Sequence, residues 1–188
     1  MRKLFLGLFF LNLSSVYAGV CIWRFPDKDI QKLFPRATGY KTEIVTYTEK
    51  EKAEIEKELG SKLDDDETKF NFYRILEDTV PIGLVLTHSA KGQYGAIEVV
   101  IGLDNEGKIS GLLIQRDREK LSKGLRSNKF LGQFVGQTVT SKFDNITGIK
   151  GAEKATKAVV LSVRKMLIVN EILGNKQTKL PKTEQPEE

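Results

Sequence analysis

The sequence of 188 residues contains a single cysteine and a single histidine. One cysteine excludes a framework of internal disulfides and any metal site built from cysteines alone. One histidine, His88, excludes histidine-rich metal sites and the zinc motif that needs two histidines on a helix. Because no nucleophile is paired with a base and no two carboxylates are paired in a recognisable pattern, the sequence argues against a stand-alone enzyme.

The charge of the chain is nearly balanced, with 30 lysines and arginines against 25 aspartates and glutamates and a net charge of +5. An excess this small does not indicate binding to nucleic acid. The length is that of one domain, or two at most. A hydrophobic fraction of 40% suits a folded core and not a bundle of membrane helices.

The N-terminus has the pattern of an export signal. Two basic residues precede the apolar stretch at residues 4–13, and small residues follow up to Ala18. This order is typical of a secretory signal peptide cut after Ala18, which predicts a periplasmic or otherwise extracytoplasmic protein. An uncleaved N-terminus that tethers the protein to a membrane is the alternative. Lipidation of Cys21 is disfavoured because Val20, directly before it, is larger than the usual small residue.

Composition and local patterns divide the chain into a signal peptide at residues 1–18, an N-terminal helical region at 19–66, a second domain at 67–174 and a tail at 175–188. The tail has two prolines, many charges and no hydrophobic periodicity, which predicts disorder. In the helical region, residues 27–34 have the pattern of a short amphipathic helix. Thr48 and Glu51 form a capping box that predicts a charged, solvated helix over residues 49–59.

The second domain begins with strand-like stretches at residues 69–76, 82–87, 96–103 and 108–115. Residues 88–95 form a glycine-containing loop in this interpretation, which makes His88 a surface residue. No crossover helix fits between the strands, so the sheet is predicted to be antiparallel.

Helices follow the strands. A charged linker at residues 116–123 leads to a short helix at 128–134 that Ser127 caps, and residues 152–173 form the longest helix. Apolar residues recur along that helix at helical spacing, which predicts that it packs on the sheet. The predicted fold class is therefore α+β, with an antiparallel sheet of about four or more strands flanked by helices and a long C-terminal helix packed on it.

The start of the longest helix is the strongest candidate for a binding site. Gly148 and Gly151 permit close approach of the backbone to a ligand, and the first helical turn presents unpaired amides at the positive end of its dipole. This arrangement favours an anion, most naturally a phosphate. Glu153 in the same turn opposes an anion, and an ordinary capped helix preceded by two turn glycines is the alternative interpretation.

Three stretches in order carry a resemblance to a known family: VVIGLDNEGKISGLLIQ at residues 99–115, NKFLGQFVG at 128–136, and DNITG with ATKAV at 144–148 and 155–159. They resemble the FMN-binding domain of exported flavoproteins, such as the G subunit of the Rnf complex, the C subunit of the sodium-pumping NADH:quinone reductase, and small stand-alone relatives. The resemblance implies that residues 67–174 are an FMN-binding-like domain. It also implies electron transfer with a redox partner, such as a membrane electron-transfer complex.

The family joins FMN through its phosphate to a signature threonine, and this sequence departs from the signature there. When the signature is aligned on its first half, residues 144–148, Lys150 takes the position of that threonine. When it is aligned on its second half, residues 155–159, Glu153 takes the position. Neither residue has a hydroxyl. The resemblance implies FMN as the cofactor, and the departure predicts that it is held without a covalent bond. The predicted cofactor-binding residues are Thr147, Gly148, Lys150, Gly151, Lys154 and Thr156. No catalytic residue and no metal ligand is predicted.

A second function from a different class stays open. The chain can also be a degenerate FMN-binding fold that holds no cofactor and serves as a structural or partner-binding module, because a fold does not fix a function. Glu153 favours this alternative, since a carboxylate beside a phosphate weakens binding.

Overall fold

The structure, a computed structural model, describes residues 26–174 of the chain. The signal peptide predicted for residues 1–18, the lipidation considered at Cys21 and the tail predicted for residues 175–188 lie outside the described residues and stay predictions.

Ten main elements build the fold. The helices are Pro26–Leu33 (α1), Glu49–Leu59 (α2), Ser122–Leu125 (α3), Asn128–Leu131 (α4) and Glu153–Leu173 (α5). The strands are Gly39–Thr46 (β1), Lys69–Glu77 (β2), Val80–Lys91 (β3), Ala96–Leu103 (β4) and Ile109–Arg116 (β5). Short 3₁₀ turns occupy Gly132–Phe134 and Phe143–Asn145.

The five strands form one antiparallel sheet in which each strand pairs with the next along the chain. The connections from β2 to β5 are too short for crossover helices, which favours this up-and-down order, and the longer connection between β1 and β2 carries α2. The α+β class predicted from the sequence is confirmed, including the long C-terminal helix packed on the sheet.

Helices cover both faces of the sheet. On one face α5 packs against β3 and β4, and α2 packs against α5. Val99 and Ile101 of β4 contribute to that core, while Val100 between them faces the opposite side and joins a smaller core with Ile30 and Phe34 at α1. Successive side chains of a strand alternate between faces, so β4 is apolar apart from Glu98 because both of its faces are buried. The Glu98 carboxylate pairs with Arg116 at 2.6 Å.

Glycines on three strands make room for α1. A Cβ atom at Gly83 of β3 would lie 2.6 Å from the carbonyl oxygen of Leu103 and would also overlap the Phe34 ring. Gly102 of β4 faces the same ring, and Gly111 of β5 faces Leu33. The helix therefore lies directly against the backbone of the sheet, which a larger residue at these positions would prevent.

The capping box predicted for α2 is present. The Thr48 hydroxyl accepts a hydrogen bond from the Glu51 N–H, and the Glu51 carboxylate accepts one from the Thr48 N–H at 2.8 Å. Gly60 ends the helix in the left-handed conformation, with φ at +75°. Ile55 and Leu59 of α2 are buried in the main core, where α2 packs against α5, so this helix is part of that core despite its charge.

β1 is a strand that the sequence analysis missed. It lies inside the region predicted to be helical, and its eight residues pair with β2 along their whole length. Val45 is the one residue of β1 that is fully buried. An edge strand with so little buried surface lacks the alternation of apolar and polar residues on which the prediction of strands depends.

The prediction that His88 lies in a surface loop is wrong. β3 continues to Lys91, and His88 pairs with Val99 of β4 inside the ladder. Its side chain points to the α5 face, where it is mostly buried.

The segments between β5 and α5 also differ in detail from their prediction. The charged linker is a folded loop, because the buried Asp117 carboxylate accepts hydrogen bonds from Ser122 and Arg126. The buried Glu119 carboxylate accepts the backbone N–H groups of Gln93 and Tyr94. The helix predicted for residues 128–134 is α4 followed by a 3₁₀ turn that begins at Gly132.

Candidate functional site

A groove of about 770 Å³ lies between the segment at residues 143–150 and the first three turns of α5. Its walls carry a set of apolar side chains: Phe143, Ile146, Ile149, Val160 and Leu161. α5 borders the groove from Glu153 to Arg164, which is about 16 Å at the helical rise of 1.5 Å per residue. A groove of this length with apolar walls suits a ligand that has an apolar body.

Three cations line the same groove, namely Lys150, Lys157 and Arg164. None of the three forms an ion pair with any residue between 26 and 174. The guanidinium of Arg164 makes a long hydrogen bond of 3.5 Å to the carbonyl oxygen of Glu58 at the end of α2. The groove thus combines apolar walls with positive charges that are available to a ligand.

The six residues predicted to bind a cofactor are divided among three cavities. Gly148, Lys150 and Thr156 line the groove. Thr147 lines a second cavity of about 470 Å³ on the other side of the same loop, which Gly148 also borders. Gly151 and Lys154 line a third cavity of about 220 Å³ beside the loop that joins β3 and β4. The segment predicted from the sequence therefore lies at cavities, but its residues do not converge on one of them.

Each glycine of this segment has a structural reason for its presence. A Cβ atom at Gly148 would lie 3.2 Å from the Cγ2 atom of Thr156, so this glycine admits close packing of the loop on α5. Gly151 has φ at +83°, a left-handed conformation that favours glycine. The Thr156 hydroxyl accepts the N–H of Ile149 at 3.1 Å and fixes the loop to the second turn of the helix.

Gln133 holds the loop from its other side. Its side-chain amide accepts the Thr147 N–H at 2.7 Å and donates to the Thr147 carbonyl oxygen at 3.2 Å. The Thr147 backbone is therefore fully engaged within the protein, while its side chain is exposed. No local sequence pattern reveals this clamp, although Gln133 lies in one of the three stretches that carry the family resemblance.

The side chain of Glu153 binds the backbone at the start of α5. Its carboxylate accepts the N–H of Gly151 at 2.8 Å, and the residue that precedes the helix, Ala152, offers no side-chain cap. The bond from Gly151, together with the backbone N–H of Glu153 itself, lowers the pKa of this exposed carboxyl group below its ordinary value. A negative charge of the protein's own therefore lies at the positive end of the helix dipole.

A buried polar network lies on the sheet side of α5, away from the groove. The Glu67 carboxylate accepts hydrogen bonds from Lys165 at 2.7 Å and pairs with the Nε2 atom of His88 at 3.0 Å. The Nδ1 atom of His88 lies 2.7 Å from the Ser162 hydroxyl. Burial raises the Glu67 pKa, but the hydrogen bonds from His88 and Lys165 outweigh burial and bring the pKa to about 2.

This network has the serine, histidine and acid of a hydrolase triad but cannot act as one. Ser162 is 1% exposed, on the face of α5 that packs against the sheet, so no substrate reaches its hydroxyl. The network instead joins α5 to β3 and to the segment that precedes β2, and its role is structural. The sequence analysis missed it because its members are far apart along the chain.

The described residues give no sign of a metal site or of a membrane span. No group of three or more histidine, cysteine, aspartate or glutamate side chains between residues 26 and 174 is arranged to hold a metal ion. No helix in that part of the chain combines the length and the hydrophobicity needed to cross a membrane.

Comparisons with known proteins give no match to this sequence, either among models of protein families or among curated proteins. The functional interpretation therefore depends on the residues of the chain and on their arrangement.

Proposed function

We propose that this protein is an exported FMN-binding protein that takes part in electron transfer and holds FMN without a covalent bond. The motifs of the sequence suggest the cofactor, and one structural observation supports it most directly. The segment that resembles the family signature borders a groove whose walls are apolar and whose three cations have no ionic partner among the described residues.

The residues of the groove fit the chemistry of FMN. The isoalloxazine ring is flat and largely apolar, and Ile149, Val160 and Leu161 offer a surface against which such a ring packs. The phosphate carries negative charge, which the cations that line the groove would neutralise. When bound, FMN accepts and donates one or two electrons at a time, and the protein controls access to the ring and its reduction potential.

Non-covalent attachment agrees with the two nearest hydroxyl groups. Thr156 is buried, and its hydroxyl already accepts a hydrogen bond from Ile149. The Thr147 side chain is exposed, but it borders the second cavity and not the groove. A phosphoester to Thr156 would require the loop to separate from α5, and one to Thr147 would place the phosphate outside the groove.

The alternative is a partner-binding module without cofactor, and Glu153 is the observation that favours it. Its carboxylate occupies the start of α5, where the sequence analysis expects the phosphate. Under this alternative the groove accommodates part of another protein, and the electron-transfer role is absent.

Visible absorbance and intact mass separate these possibilities. The full chain is produced in a host that exports and flavinylates proteins, its absorbance is recorded, and its mass is measured after denaturation. Flavin absorbance with an unmodified denatured mass is the expected result. A mass raised by one FMN less one water would contradict the non-covalent attachment. A colourless protein that also fails to bind added FMN would contradict the flavoprotein proposal and support the cofactor-free module.

A further inference from the structure

The two ends of the groove differ in charge. At the start of α5, the lining of the groove contains one cation, Lys150, and two carboxylates, Asp144 and Glu153. Further along the helix, Lys157 follows Glu153 by about one turn and Arg164 follows it by about three, and no acidic side chain of the lining comes after Glu153 on α5. The groove is therefore net acidic at the helix start and basic from about one to three turns later.

The two cations of the basic end lie on one stripe of α5. Lys157, Leu161 and Arg164 follow each other at spacings of four and three residues, which places them on the same face of the helix. Leu161, between the two cations, is 43% exposed. Lysine and arginine at this spacing can direct their flexible side chains toward one anion above an apolar contact.

The start of α5 is unsuited to a second anion. The Glu153 carboxylate already accepts the N–H of Gly151 and lies at the positive end of the helix. Lys154, which the sequence analysis assigned to the phosphate, lines the third cavity, where Lys120 is accompanied by Glu119 and Glu153. That cavity holds equal numbers of acidic and basic side chains and is less than a third of the volume of the groove.

We infer that the phosphate of the ligand binds at Lys157 and Arg164, about one and three turns into α5, and that Glu153 keeps it away from the helix start. This inference rests on the proposed function, since it orients FMN within the groove. Arg164 and Lys157 thereby become the residues that distinguish FMN from a flavin without a phosphate. Glu153 is a selectivity residue, because its charge repels a phosphate at the position that the family signature predicts.

Riboflavin is the probe that isolates the phosphate, because it shares the ring and the ribityl chain of FMN. The dissociation constants of FMN and riboflavin are measured with the full chain by quenching of flavin fluorescence. The ratio of the two dissociation constants measures how much the phosphate contributes to binding, independently of the affinity for the ring. Lys157→Gln and Arg164→Gln are each expected to lower the preference for FMN by about fivefold, the effect of one charge pair at a solvated surface.

Lys154→Gln is the matched control, since it removes the same charge from the same helix on the side of the third cavity. It is expected to leave the ratio unchanged within about twofold, because screening by solvent and salt weakens a charge outside the groove. Glu153→Gln keeps an acceptor for the Gly151 N–H and removes the charge. This variant is expected to raise the preference for FMN by about two- to fivefold, the strength of a charge at a helix end.

The outcomes distinguish the inference from the proposed function. Loss of the FMN preference in Lys154→Gln with its retention in Lys157→Gln and Arg164→Gln would overturn the inference and leave FMN binding intact. Equal losses in all three lysine and arginine variants would also overturn it, because the effect would then be one of overall charge. If the unmodified protein binds neither flavin, the proposed function fails, and the inference fails with it. Thermal unfolding of each variant identifies any that does not fold, in which case Lys157→Met or Arg164→Met replaces it.

Discussion

Replacing Glu67 with glutamine is a quantitative test of the network beneath α5. The Glu67 pKa is about 2 in the folded protein, against an ordinary value of 4.5. Each unit of pKa corresponds to about 1.36 kcal/mol, so ionised Glu67 stabilises the fold by up to about 3 kcal/mol. Because folding lowers this pKa, the contribution is present in full above 4.5 and is lost as the pH falls toward 2.

The assay is urea unfolding of the wild type and of Glu67→Gln at neutral pH and near pH 3. At neutral pH the variant is expected to be less stable by about 3 kcal/mol, since Lys165 stays buried without its carboxylate partner. Near pH 3 the wild type has lost about 2 kcal/mol of this contribution, so the difference between the two proteins shrinks to about 1 kcal/mol.

Glu171→Gln provides the matched control, because Glu171 lies exposed on the same helix. This variant is expected to unfold within about 0.5 kcal/mol of the wild type at both pH values. The reasoning is refuted if Glu67→Gln is as stable as the control at neutral pH. It is equally refuted if the stability difference between Glu67→Gln and the wild type stays the same at both pH values.

Three further substitutions, one of them a control, test which contacts stabilise α1 and α2. Gly83→Ala is expected to cost about 1–3 kcal/mol in urea unfolding, because its methyl group would meet Phe34 and the Leu103 carbonyl oxygen. Gly132→Ala, which places a methyl group in open space on a right-handed helical backbone, should be neutral or slightly stabilising, and an equal loss in both variants would contradict the account. Thr48→Ala is expected to cost about 1 kcal/mol through loss of the α2 cap, and an unchanged unfolding midpoint would show that the cap contributes nothing.

The sequence predicts much of this fold because several local signals coincide with the tertiary structure. The capping box at Thr48 and the left-handed Gly60 fix the ends of α2 within the sequence itself. The turn at residues 104–107 and the apolar stretches on each side of it define the hairpin of β4 and β5. β1 is not predicted from the sequence because it is an edge strand whose stability comes from its pairing with β2. The continuation of β3 through His88 similarly depends on the register with β4.

Only part of the candidate site can be predicted from the sequence. The glycines and threonines before α5 identify the loop, because turns and helix starts have local signatures. The opposite wall of the groove comes from Val160, Leu161 and Arg164, which sequence patterns assign to the outer face of a packed helix. Which cations face the groove follows only from the way the loop folds back on α5 through Thr156.

The most direct test of the central claim, that FMN binds in the groove, is a titration of the Leu161→Glu variant with FMN. The new carboxylate would lie between Lys157 and Arg164 in the wall of the groove. Val135→Glu is the matched control, since Val135 is 52% exposed and does not line the groove. The account predicts that FMN binds about tenfold or more weakly to Leu161→Glu and with unchanged affinity to Val135→Glu. Equal FMN affinity in both variants and the wild type would contradict it.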